Sequence, residues 1–193
     1  MSEVKQEGST SEVFQESKNP ASTSRWSELC GVEFSAAGAP GRRRFEAWLR
    51  ASVTHVVTMQ RGDEMPAWLP GACEEHGVVW EHFPLSGKRL EAPEDAGELA
   101  RLFDHARGFE PGARVVVHCS AGLHRTGLAL FMIGRALGLE ATRALEFVSA
   151  ARALTGEELV RSDREGRRLC DRAEEVIERL GSEGLARLDG GGP

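Results

Sequence analysis

The sequence predicts an α/β domain in which a central, mostly parallel sheet is flanked by helices. Three observations predict it. Short β-branched runs alternate with stretches of helical periodicity along most of the 193 residues. The run Arg114-Val115-Val116-Val117 is apolar enough for a strand buried on both faces. A glycine-containing loop joins that run to Leu128-Ala129-Leu130-Phe131-Met132-Ile133, which is apolar all round and therefore a buried helix. A chain of this length supports one full hydrophobic core.

Residues 1–25 are rich in Ser, Glu, Gln, Lys and Thr and predict an unstructured tail, residues 26–182 the folded domain, and residues 183–193, ending Gly-Gly-Gly-Pro, a second flexible tail. Within the domain, residues 31–36 predict a first strand that ends near the turn Ala39-Pro40-Gly41. Residues 45–50 predict a short helix. Residues 53–59 and 77–83 are β-branched runs and predict strands, the second stopped by Pro84. Pro93 opens a helix, with Glu94 and Asp95 at its positive end and Ala96, Leu99, Leu102, Phe103 and Ala106 on one face. Residues 140–152 predict another helix, and a last long one runs from about residue 157 to residue 180, with Leu159, Leu169, Ala173, Val176, Ile177 and Leu180 as its buried stripe.

Composition narrows the function. The net charge is −6, which does not fit a general nucleic-acid-binding protein but allows a small, locally positive anion pocket. No apolar run approaches the roughly 18 residues of a membrane span. The four cysteines (Cys30, Cys73, Cys119, Cys170) form no CxxC pair and no zinc spacing, so no metal or other cofactor is expected. The polar N-terminus lacks a signal core, and the reading is a cytoplasmic protein with free thiols.

The chemistry concentrates in His118-Cys119-Ser120-Ala121-Gly122-Leu123-His124-Arg125-Thr126-Gly127, between the predicted strand and the buried helix. A loop entering a helix N-terminus aims several backbone N–H groups at one spot, a nest for a phosphate dianion. The same field stabilises a thiolate, so Cys119 at the loop start is the expected nucleophile. Arg125, six positions on, can fork two phosphoryl oxygens. The Thr126 hydroxyl can hydrogen-bond the sulfur and ease its departure. Ser120, Ala121, Gly122, Leu123 and His124 supply the cradle. His118 orients the loop and is no base.

Cys119-Ser120-Ala121-Gly122-Leu123-His124-Arg125-Thr126 resembles the Cys-x5-Arg-Ser/Thr signature of the protein tyrosine and dual-specificity phosphatase superfamily. The resemblance covers residues 29–180 and implies a dual-specificity-phosphatase-like fold and hydrolysis through a phosphocysteine. Residues 34–43, with Ala39-Pro40-Gly41, are similar to the same region of cyclin-dependent-kinase-associated phosphatases. The resemblance implies a phosphorylated protein or a small phosphorylated molecule as substrate.

The family's loop aspartate, which protonates the leaving oxygen, has no counterpart in Pro84-Leu85-Ser86-Gly87-Lys88-Arg89-Leu90-Glu91-Ala92-Pro93, where Ser86 or Gly87 stands instead. Three readings stay open. Glu91 is the acid, with Glu94 and Asp95 weaker candidates because helix starts carry acids for capping alone. Or the leaving group needs no acid, as in phosphoanhydride hydrolysis. Or the protein is a slow, phosphate-binding module. The ending His124-Arg125-Thr126-Gly127 is similar to inositol-pyrophosphate phosphatases, and the Arg-Thr-Gly ending also to RNA 5'-triphosphatases, so an RNA 5' end or another polyphosphorylated substrate is an alternative. Lys88 and Arg89 suit such a polyanion or are solvated loop cations. Asp163 and Arg164 are read as a solvated helix face, or as positioning the attacking water. Oligomeric state is not legible.

Overall fold

The computed structural model describes residues 25–87 and 92–189. Residues 1–24 of the tail predicted over 1–25, residues 190–193 of the tail predicted over 183–193, and Lys88, Arg89, Leu90 and Glu91 of the loop lie outside the described residues, whereas Arg25 N–H donates to Ala151 O at 2.8 Å.

The described elements run β1 (Ser27–Leu29), β2 (Val32–Gly38), α1 (Arg42–Arg50), β3 (His55–Thr58), α2 (Leu69–Glu75), β4 (Val79–His82), α3 (Pro93–Ala106), β5 (Arg114–Cys119), α4 (His124–Ala136), α5 (Ala141–Ala151), α6 (Ala153–Val160) and α7 (Leu169–Asp189). The sheet order is β1-β2-β5-β3-β4. Strands β2, β5, β3 and β4 pair in parallel, and only β1 is antiparallel, on β2. The expectation of a mostly parallel sheet with helical cover holds.

Strand alternation sends side chains to two cores. Val56 and Val116 face α1 and α2, where Phe45, Trp48, Leu69 and Cys73 are buried. Phe34, Val57, Val115 and Val117 face the larger core under α3, α4 and α5. There Phe34 meets Phe109 and Phe147 edge-on, with ring centroids 5.7 and 5.5 Å apart. Helix α4 is buried on every side from Arg125 to Gly134, as its all-apolar sequence requires. Trp48 is buried, and Trp26, Trp68 and Trp80 pack half-buried against the smaller core.

The chain departs from the sequence reading at several points. Strand β1 and the seven-residue helix α2 were not expected. The expected last helix is two helices: α6 ends at Val160, and residues 161–168 form a loop before α7. Asp163 makes that break. Its Oδ1 accepts the backbone N–H groups of Glu165 and Arg167, both at 2.9 Å, and Gly166 turns at φ 77°. Asp163 is therefore a loop brace, not part of a helix face. Helix α7 runs through Gly181 to Asp189, where a loose end was expected.

Strand β5 lies between β2 and β3, so its carboxyl end faces the crevice where ligands bind in open α/β sheets. Because Phe34 is fully buried in the core that carries this strand, Phe34→Ala is expected to cost about 3–5 kcal/mol. Urea unfolding should show a lower midpoint at unchanged slope.

Candidate active site

Strand β5 carries Cys119 to the sheet's carboxyl edge, in register with Gly38 at the end of β2. The chain then turns through Ser120-Ala121-Gly122-Leu123 into α4 at His124. Gly122 adopts φ 70°, and a Cβ there would lie 2.3 Å from the Ala37 carbonyl carbon and 2.5 Å from Gly38 N. Only glycine fits this left-handed turn and close approach.

The loop's carbonyls point away from the sulfur and are held from outside. Arg152 Nη1 donates to Ala121 O (3.1 Å) and Gly122 O (3.0 Å), and the Thr155 hydroxyl donates to Gly122 O at 2.8 Å. Gly122 N–H donates to Cys119 Sγ at 3.2 Å. Cys119 is only 3% exposed. Burial pushes its thiol pKa up, but the Thr126 hydroxyl and the backbone N–H groups of Thr126, Leu123 and Gly122 outweigh that and bring it below the ordinary thiol value. The Thr126 hydroxyl is buried and spends itself on no other group of the fold, which leaves it to the sulfur whose pKa it lowers.

His118 is wholly buried behind the loop. Its Nε2 lies 2.8 Å from Thr58 Oγ1, which also accepts Trp80 Nε1–H at 2.9 Å. Burial pushes the imidazole pKa down to about 4, so it is neutral near pH 7 and serves as a spacer.

Arg125 is buried and held by three partners. Nη1 donates to Glu64 Oε2 and to Leu85 O (3.1 Å), and Nη2 donates to Ser120 Oγ (2.9 Å). Gln60 Nε2 bridges Glu64 O (2.9 Å) and Ser120 Oγ (3.2 Å). Burial acts to raise the Glu64 pKa, but the Arg125 hydrogen bond, Arg61 N–H and both arginine charges bring it below the usual carboxylate value. Glu64 is thus an ionised brace, unsuited to donating a proton at neutral pH. Sequence reading missed Glu64, Gln60, Arg152 and Thr155. The one available signal was the polar turn Gln60-Arg61-Gly62-Asp63-Glu64 at the carboxyl end of a parallel strand.

Of the loop residues expected to supply an acid or a substrate contact, Lys88 and Glu91 are outside the described residues. Ser86 is present but donates its own hydroxyl to Asp95, which also accepts Ser86 N–H at 2.7 Å and Ala92 N–H at 3.2 Å. Asp95 is 1% exposed and caps the start of α3, in keeping with the capping role open to it. His124 Nε2 sits 3.0 Å from Glu158 Oε2, beside a small cleft between α6 and α7 that Arg161, Asp163 and Arg172 also line.

The model of the tyrosine phosphatase family matches residues 74–175, more than half of the chain. Three solved structures share the fold. A mutant form of Tk-PTP is 23% identical, with TM-score 0.55, covering 80% of this chain and 96% of its own. Kinase associated phosphatase is 12% identical, with TM-score 0.57 and coverage of 82% and 96%. The core catalytic domain of the PP-IP phosphatase SIW14 from S. cerevisiae is 17% identical, with TM-score 0.52 and coverage of 83% and 92%. No curated protein matches this chain.

Two outcomes are expected. Thr126→Val should move the pH midpoint of Cys119 alkylation by iodoacetamide upward and slow the reaction roughly tenfold near neutral pH, since a hydrogen bond to a charged group is lost. Glu64→Ala should lower kcat/KM roughly ten- to hundredfold by loosening Arg125, with the thermal unfolding midpoint showing that the fold persists.

Proposed function

The chain belongs to the tyrosine phosphatase family, and from that premise we propose that it hydrolyses phosphomonoesters through a phosphocysteine, with Cys119 as nucleophile. The observation that carries this reading is the buried thiol held below its ordinary pKa at the focus of three backbone N–H groups, one of which donates to it at 3.2 Å.

The thiolate attacks phosphorus, the P–S bond forms, and the bond to the leaving oxygen breaks. Water then attacks the phosphocysteine, releasing inorganic phosphate and regenerating the thiolate. The loop N–H groups and Arg125 stabilise the equatorial oxygens in both steps. The Thr126 hydroxyl, next to the sulfur, favours its departure as thiolate. Arg125 enters the reaction already oriented by Glu64, Leu85 O and Ser120.

The protonation of the leaving group favours a second reading. The hydroxyl at Ser86 is committed to Asp95, and Asp95 accepts three hydrogen bonds without donating one. Ser86 and Asp95 are thereby committed, and Glu94 in the first turn of α3 is the exposed carboxylate beside them. Leaving groups that are stable anions near neutral pH suit such a site, which supports phosphoanhydrides such as an inositol pyrophosphate or an RNA 5'-triphosphate. A fold neighbour is described as a PP-IP phosphatase; that activity is the neighbour's own. Both readings imply a phosphorylated protein or a small polyphosphorylated molecule as partner. No helix among the described residues is long and apolar enough to cross a membrane, and the four free cysteines suit a reducing, cytoplasmic setting.

Phosphate release from a phosphotyrosine peptide, a phosphothreonine peptide, an RNA 5'-triphosphate and an inositol pyrophosphate tests both readings. Wild type should turn over at least one, and Cys119→Ser none. Release that survives Cys119→Ser overturns the thiolate mechanism. Binding by Cys119→Ser with no turnover by wild type replaces it with a phosphate-binding module. For the best substrate, kcat/KM should rise as Cys119 ionises, at a pH below the ordinary thiol value, and then show no alkaline fall.

A further inference from the structure

Glu64 Oε2, Leu85 O and Ser120 Oγ hold Arg125 from three separate segments of the chain. All three segments are tied back to the two residues that follow β3. Met59 N–H donates to His118 O at 2.9 Å, just before the signature loop, and Met59 O accepts Leu85 N–H at 3.2 Å. Gln60 Nε2 donates to Glu64 O at 2.9 Å and to Ser120 Oγ at 3.2 Å. Gln60, Glu64, Arg125 and Ser120 therefore close a ring of hydrogen bonds, in which Gln60 joins the two residues that grip the guanidinium by its Nη atoms.

Chemistry sets the direction of each bond in the ring. A backbone carbonyl only accepts, so the end of the carboxamide that faces Glu64 O is Nε2. A guanidinium only donates, so Ser120 Oγ accepts from Arg125 on one side and from Gln60 on the other, and both of its lone pairs are engaged. When Arg125 Nη2 turns to a phosphoryl oxygen, the Gln60 bond still holds Ser120 in place. The base of Gln60 is fixed as well. His82 Nε2 on β4 donates to Gln60 O at 2.6 Å, and Trp80 stacks on that imidazole with ring centroids 5.3 Å apart.

The carboxamide does little for the fold itself. Gln60 is 2% exposed, and its Oε1 is buried with no hydrogen-bond partner. A buried acceptor left alone is destabilising, and an apolar side chain of similar length removes that penalty. The two acceptors such a side chain would release, Glu64 O and Ser120 Oγ, belong to residues exposed to solvent. A polar side chain that violates a local rule in this way is expected where function demands it.

We propose that Gln60 is a positioning residue of this site: it locks Glu64 and Ser120 together around Arg125, so that the guanidinium meets a phosphoryl group already oriented. Gln60 does not touch the substrate and acts through the two residues it joins. The entropy of ordering Arg125 is thereby met on folding and not on binding. This rests on the phosphatase reading and extends its machinery to a residue 59 positions before Cys119 in the sequence.

The test is Gln60→Met in the full chain, which keeps the length of the side chain and removes its donor. In the Cys119→Ser background, calorimetric binding of inorganic orthophosphate should weaken roughly three- to tenfold, the effect of leaving one long side chain to be ordered on binding. The thermal midpoint should equal or exceed that of the parent. With Cys119 in place, the pH midpoint of its alkylation should not move, because the donors to the sulfur are Thr126, Leu123 and Gly122. Ser120→Ala already opens the ring, so adding Gln60→Met to it should weaken orthophosphate binding by no more than about a further twofold. Orthophosphate affinity that stays within about twofold on Gln60→Met alone overturns the role, and so do losses that simply multiply in the double variant. A lowered thermal midpoint or a raised alkylation midpoint makes Gln60 a prop of the fold at large and overturns it too. Absence of orthophosphate binding by Cys119→Ser itself is a different failure, since it removes the phosphatase reading and the positioning role with it.

Discussion

A loop that cradles a dianion must turn its N–H groups to one point, and its carbonyls are thereby driven outward. Each expelled carbonyl needs a partner, because a buried backbone acceptor left alone costs about 1–3 kcal/mol. Much of the surrounding structure follows from that demand. The Ala121 and Gly122 carbonyls go to Arg152 and Thr155, which stand where α5 gives way to α6. That junction lies at the loop because Gly127 of α4 brings Thr155 close: a Cβ on Gly127 would come within 3.0 Å of the Thr155 methyl. On the other side, Gly122 presses on the end of β2 so closely that only its missing side chain allows the contact. The low thiol pKa is thus a property of three elements at once, and not of the signature residues alone.

This explains what could be read from the sequence. Cys119, Arg125 and Thr126 are tied by short covalent spacing, so their juxtaposition is legible as soon as the strand and the helix are recognised. The parallel sheet is legible for the same reason, since Val115, Val116 and Val117 admit little but a doubly covered strand. Glu64 reaches Arg125 across 61 positions, and Arg152 reaches Ala121 across 31. No local periodicity encodes such meetings. The split between α6 and α7 failed for another reason. Leu159 and Leu169 both belong to the core, so the apolar pattern continues while the backbone does not. The Asp163 and Gly166 turn was present in the sequence but outweighed by that pattern.

Arg125 illustrates how the site is prepared before substrate arrives. A guanidinium has five donors, and three of its hydrogen bonds are already made to protein groups on three different segments. Its rotamer entropy is therefore lost on folding and not on binding. Glu64 compensates its charge until a phosphate approaches, yet it is one-sided: it engages Nη1, while Nη2 meets only the neutral Ser120 hydroxyl. An arriving dianion can exchange that neutral partner for a charged acceptor, which strengthens the interaction without breaking the ion pair that orients the side chain.

The loop after β4 carries the same logic to the leaving group. Leu85 is fully buried and its carbonyl is spent on Arg125, while the next residue, Ser86, is fastened to Asp95 by backbone and side chain. Asp95 has no cation in these contacts, and it stays satisfied by accepting from N–H and O–H donors at the start of α3. This stretch of loop is consequently a fixed wall that helps to set Arg125, with its polar groups already committed. A proton-donating side chain must approach the leaving oxygen from a free position, and the anchored Leu85 and Ser86 do not offer one. A donor matters little when the leaving group departs as a stable anion and a great deal when it is an alkoxide, so the wall fixes how phosphate is held and not how the leaving oxygen is protonated.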